Sequence, residues 1–165
     1  MTEEGDYQPK SDFLIMVANE EIVLDDSEFG QANLRRLISF TYDEDTSNRD
    51  WATMLLGHYG PHTDEVRGVL LRGADDEDQY VRAEAIEALV ERDRASALQL
   101  VKRELARESA AVGVFDAAAE LADPSLVSLL EPFAQPSGDN YVDEIAKRAL
   151  DKCRAAKRGS SARSA

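Results

Sequence analysis

An alanine followed four residues later by a leucine recurs along this chain, at Ala52 and Leu56, Ala85 and Leu89, Ala117 and Leu121, and Ala146 and Leu150, with the leucines spaced 33, 32 and 29 residues apart. Residues four apart stack on one helix face. A small side chain there lets a neighbouring helix approach closely, and the leucine fills the remaining gap. A period near 33 residues is that of a helical solenoid, in which each hairpin buries its apolar face against the next. Each such element is preceded by a second apolar segment. Leu34, Leu37, Ile38 and Phe40 come before Trp51, Ala52, Leu55 and Leu56; Val66, Val69, Leu70 and Leu71 before Val81, Ala85, Ile86, Ala88 and Leu89. The pattern continues with Ala97 to Leu105 before Val112 to Leu121, and with Leu126 to Leu130 before Tyr141 to Leu150. Composition agrees, because 43% hydrophobic residues with only 9 Gly and 5 Pro in 165 residues is too apolar for a disordered chain and too poorly punctuated for a many-stranded sandwich. The expectation is an all-α chain in three parts: an acidic N-terminal segment with a capping helix over 1–27, a repeat domain over 28–150, and a basic, disordered tail over 151–165.

The stretches Asn48-Arg49-Asp50-Trp51-Ala52-Thr53-Met54-Leu55-Leu56-Gly57 and Asp78-Gln79-Tyr80-Val81-Arg82-Ala83-Glu84-Ala85-Ile86-Glu87-Ala88-Leu89 resemble the second helix of short HEAT repeats. More narrowly, they are similar to the repeats of phycobilisome lyases, with a signature of roughly Asp-x-x-Val-Arg-x-x-Ala-x-x-x-Leu. The resemblance covers about residues 30–150. It implies a right-handed α-α superhelix of about four hairpins. It also implies that Arg49 and Arg82, at the same repeat position, tie neighbouring repeats through carboxylates and carbonyls, a task suited to a planar multidonor group. The third repeat has Val114 at that position and the fourth Asp143, so both rest on apolar spacing alone.

Catalytic and metal chemistry find no assembled constellation. His58 and His62 are four apart, but Gly60 and Pro61 intervene and a proline inside a helix breaks it, so the pair straddles a turn. The paired His-Glu steps of HEAT-type di-iron hydroxylases are missing. Asp75-Asp76-Glu77-Asp78 lacks the alternating ligands, glycine and distant glutamate of an EF-hand loop. Cys153, the single cysteine, excludes an internal disulfide and has no histidine near it in sequence. The expectation is therefore no enzyme, no cofactor and no metal. A bilin lyase or a DNA glycosylase of HEAT-like fold ranks last, since an acidic body opposes a DNA groove.

Charge narrows the partner. Thirty-three Asp and Glu against 19 Lys and Arg give −14, and this divides into −18 over residues 1–150 and +4 over residues 151–165. Binding of phosphate polymers draws on basic residues, so neither nucleic acid nor an anionic membrane suits the body. The longest early apolar run, Phe13 to Ala18, is six residues and follows acids rather than bases, which points to the cytoplasm. The expected function is non-catalytic protein binding as a scaffold or adaptor, with a partner of basic character. The alternative is an acidic inhibitor or immunity-type protein directed against a basic enzyme. Trp51, Tyr80, Glu84 and Glu87 are the residues expected on the concave face. Asp43, Glu44, Asp45, Asp75, Asp76 and Asp78 would form an acidic recognition edge at the turns.

Overall fold

The computed structural model describes residues 7–162, with side chains described for residues 7–156. Among these residues the regular structure is entirely helical, and its boundaries follow from local chemistry. Helix α1 (Asp12–Ala18) is followed by α2 (Glu28–Phe40), α3 (Thr46–Tyr59), α4 (Asp64–Gly73), α5 (Gln79–Arg92), α6 (Arg94–Leu105), α7 (Val112–Leu121), a 3₁₀ turn (Pro124–Leu126), α8 (Val127–Leu130) and α9 (Asn140–Ala162). Ser27, Asp45, Thr63, Asp78 and Asp93 each accept a backbone N–H of the helix they precede, satisfying donors that the helix itself leaves open. Helix α7 differs: Ala111 stands at its cap position and offers no acceptor.

The four expected pairs are α2 with α3, α4 with α5, α6 with α7, and the 3₁₀ turn plus α8 with α9. The fourth is degenerate, because Pro124 and Pro132 bracket its first segment and leave room for little more than one turn. Successive second helices, α3, α5, α7 and α9, pack far more closely on one another than successive first helices do. The stack therefore bends around the second-helix row, which forms the concave face.

The recurring alanines and leucines are the axis of this packing. Ala52, Ala85, Ala117 and Ala146, and Leu56, Leu89, Leu121 and Leu150, are all buried, and each buried leucine contributes about 1.5–3 kcal/mol. Between α3 and α5 the backbones come closer still: a Cβ added at Gly57 would lie 2.7 Å from that of Ala88. At the N-terminal end α1 buries Phe13, Leu14 and Val17 against the first pair, and Phe13 lies between Phe40 (5.8 Å between ring centroids) and the Arg36 guanidinium.

The C-terminal boundary differs from expectation. Helix α9 runs past residue 151 to Ala162, and Cys153 is buried with its thiol donating to the Ala118 carbonyl. The apolar spacing Ile145, Ala146, Ala149, Leu150, Cys153 keeps one face on α7, so the helix continues into the basic segment rather than ending before it. Residues 163–165, including Arg163, lie outside the described residues, as do residues 1–6 with Glu3, Glu4 and Asp6. No helix among the described residues is long and apolar enough to cross a membrane.

Candidate binding groove

Two faces were expected to carry recognition, the turn edge and the concave row, and the structure uses their carboxylates differently. At the turn before α3, Asp43 Oδ1 accepts the Asp45 N–H at 2.8 Å and Asp45 caps α3 through Ser47 and Asn48. The turn before α5 repeats this: Asp76 Oδ1 accepts the Asp78 N–H at 2.9 Å, and Asp78 caps α5 through Tyr80 and Val81. Arg49 Nη1 donates to the carbonyls of Asp43 and Glu44, and Arg82 Nη1 donates to those of Asp76 and Glu77. Each arginine then reaches the following repeat. Arg49 binds both oxygens of Asp76 at 2.9 and 3.1 Å, and Arg82 binds Glu104, a buried carboxylate also met by Arg103 and Arg107.

The turn edge is therefore largely spent on the fold itself. Asp75 pairs with Arg103 at 2.6 Å, and Asp45 pairs with Lys10, whose hydrogen bond, with that of Ser47, holds its carboxyl well below the usual carboxylate range. Glu44 stays exposed, engaged through its carbonyl rather than its carboxylate.

The concave face is organised otherwise. Met54, Gly57 and His58 of α3, Glu84, Glu87, Ala88, Glu91 and Arg92 of α5, and Glu120 of α7 line an open groove of about 630 Å³. Glu84, Glu87 and Glu91 follow i, i+3, i+7 spacing and so share one helix face. Among the described residues these three and Glu120 have no hydrogen-bond or ion-pair partner, whereas Arg92 is tied to the Ala88 and Gly60 carbonyls. A Cβ added at Gly113 of α7 would lie 3.1 Å from the Glu87 carboxyl carbon, so this glycine leaves the space that the carboxylate occupies.

Burial without a counter-charge raises the affinity of these groups for protons. Burial pushes Glu84 up to about 7, assisted by the charge of Asp50, and burial pushes Glu87 up to about 7, assisted by Glu84, Asp116 and Glu120. Asp50, beside them on α3, is also raised, chiefly by burial, and its Oδ1 has no partner. Next to Asp50 the Tyr7 phenol is pushed up to about 12 by burial and by that carboxylate.

Of the four residues expected on the concave face, Glu84 and Glu87 line the groove. Trp51 does not; it packs, partly buried, against the hydrophobic core, with its indole N–H buried and unpartnered. Tyr80 is 58% exposed in the first turn of α5 and also lies outside the groove. Met54, Glu91 and Glu120 escaped the sequence reading, although the i+7 step from Glu84 to Glu91 was a usable signal. His58 stands in the last turn of α3 and His62 beyond Pro61, on either side of the helix end.

These features define an α-solenoid with an acidic inner groove. The chain belongs to the HEAT-repeat family: the family model for HEAT repeats matches residues 34–122, from the middle of α2 to the end of α7. It is similar in fold to the X-ray structure of YibA from Escherichia coli, at 24% identity and a TM-score of 0.59, over 85% of this chain and 54% of that one. The chain thus spans about half the length of that relative. No curated protein sequence matches it significantly.

Proposed function

We propose that this chain is a non-catalytic binding module that holds a protein partner of basic character in the groove crossing α3, α5 and α7. HEAT repeats generally act as protein-interaction scaffolds. The observation that carries the reading is the contrast between the two acidic faces. Apart from that of Glu44, the turn carboxylates expected as a recognition edge are engaged within the chain, whereas Glu84, Glu87 and Glu120 converge without a hydrogen-bond or ion-pair partner on a groove that Met54, Gly57 and Ala88 also line. Complementary charge gives such a surface specificity and a fast encounter, and the apolar lining receives the stem of a long basic side chain.

A photo-reactive residue in place of Met54 tests this against one in place of Gly68, which lies on α4 with open space around it. The expected result is a protein crosslinked from position 54 and not from 68 through a Lys- or Arg-rich segment, whose purified form binds Glu84→Gln/Glu87→Gln more weakly. Equal crosslinking from both positions, or equal binding by the variant, overturns it. The overall charge of −14 also favours a second reading, an acidic inhibitor of a basic enzyme. Assaying the captured partner's own activity with and without this chain separates an inhibitor from an adaptor.

A further inference from the structure

We propose that the groove is a proton-coupled cation dock, in which a lysine or arginine side chain of the partner enters between Glu84, Glu87 and Glu120 and displaces protons from Glu84 and Glu87. The inference rests on the binding reading above and assigns a regulation to the same site.

Three observations converge. The first is placement: Glu84 and Glu87 of α5 line one groove with Glu120 of α7, and the Glu87 carboxyl carbon lies 3.1 Å from where a Cβ on Gly113 of α7 would stand; the charge of Asp50 on α3 adds to the proton affinity of Glu84, and those of Glu84, Asp116 and Glu120 to that of Glu87. The second is the shortage of internal cations. Arg148 of α9 is paired with Asp116, and Arg92 of α5 donates to two carbonyls at the groove's end. His58 and Glu91 complete the titratable lining, and Tyr7 faces Asp50 from the N-terminal segment. The third is space, since the groove is open and Gly113 leaves the Glu87 carboxylate its place above α7.

Carboxylates held half-protonated near neutrality are poor electrostatic partners until a cation arrives. Its arrival favours the charged forms, so binding expels protons and the affinity depends on pH. The sign follows directly. Below about 7 the cation must compete with protons, and well above that value no proton remains to be displaced. Each coupled carboxylate therefore weakens binding roughly tenfold between pH 8 and pH 6.

The test is calorimetric titration of the full chain with a dodecapeptide of alternating Arg and Ala, at pH 6 and 8, in two buffers of different ionisation enthalpy. Expected are proton release near pH 7 and at least roughly tenfold tighter binding at pH 8. Both effects should vanish in Glu84→Gln/Glu87→Gln and persist in the charge-matched Glu65→Gln/Glu108→Gln, whose residues are exposed elsewhere. Binding without proton release overturns the proton coupling and leaves the docking surface standing, whereas equal losses in both double variants overturn the groove as the site. No binding of the peptide at either pH overturns the cation dock itself, and the reading of a basic partner with it.

Discussion

The Arg49 guanidinium grips both carboxylate oxygens of Asp76, 27 residues further along the chain, while a second arm of the same group closes its own turn through the Asp43 and Glu44 carbonyls. Arg82 does the equivalent one repeat later with Glu104. A single side chain thus fixes the geometry of a hairpin turn and the spacing to the next hairpin. Both members of the first pair are nearly buried, with side chains 10% and 13% exposed, so their charges are held by one another rather than by water.

Removing one member leaves the other uncompensated. Arg49→Ala and Asp76→Asn should each destabilise the chain by about 2–4 kcal/mol. The double variant should cost less than their sum. Arg49→Lys should recover little, because an ammonium cannot reach two carboxylate oxygens and two carbonyls at once. Urea midpoints at constant slope measure all four.

Asp45, Asp78 and Ala111 stand at equivalent cap positions 33 residues apart, and only the alanine lacks an acceptor. Asp78→Ala should cost about 1–2 kcal/mol. Ala111→Ser should add stability by about 0.5–1 kcal/mol, since φ −68° and ψ 154° already suit a capping residue. A serine is chosen over an aspartate to keep a further charge away from Glu87. Thermal unfolding of both variants decides the matter, and a destabilised Ala111→Ser would show that its 8% exposure leaves no room for the hydroxyl.

Two helical glycines separate packing from propensity. Gly68 has no atom within 4 Å of an added Cβ, so Gly68→Ala should stabilise by roughly 0.5–1 kcal/mol through helix propensity alone. Gly57 sits 2.7 Å from Ala88 by the same measure, so Gly57→Val forces α3 and α5 apart and should cost about 1–3 kcal/mol. Denaturant melts of the pair should show opposite signs.

The solenoid was legible because its signals are local and periodic: one residue type every turn of helix, one element every repeat. The arginine ladder was legible too, through the match of Arg49 and Arg82 to a repeat signature. Its acceptors were not, since Asp76 and Glu104 are selected by the stacking of hairpins and not by any spacing within one. Asp78 was legible as the cap of the helix it precedes, but the partners of Asp75 and Asp76 were not, since Arg103 and Arg49 reach them from neighbouring pairs. Trp51, aligned with Glu84, lies outside the groove lining, and its large ring gains from packing partly buried on the core. The run of α9 beyond residue 151 depended on one side chain, Cys153, whose burial extends the apolar stripe by a turn.

Opposite pKa shifts at the helix-capping aspartates and in the groove give stability a pH profile with a maximum on the acid side of neutrality. Asp93 and Asp123 are held low, chiefly by hydrogen bonds from Ser96 and Ser125, so their contribution is present above the ordinary carboxylate range and is lost as the pH falls below it. Glu84 and Glu87 behave inversely. Raised to about 7, they bind more protons in the folded chain than in the unfolded one, so the fold loses stability as pH climbs from the unfolded value of 4.5 through 7. Their partial contact with water softens the effect to about 1 kcal/mol each. Glu84→Gln/Glu87→Gln should therefore be more stable than the parent by about 2 kcal/mol at pH 8 and nearly equal to it at pH 5. Urea denaturation at both values checks this, and an equal gain at pH 5 and pH 8 would show that the glutamines act by packing rather than by removing two strained charges.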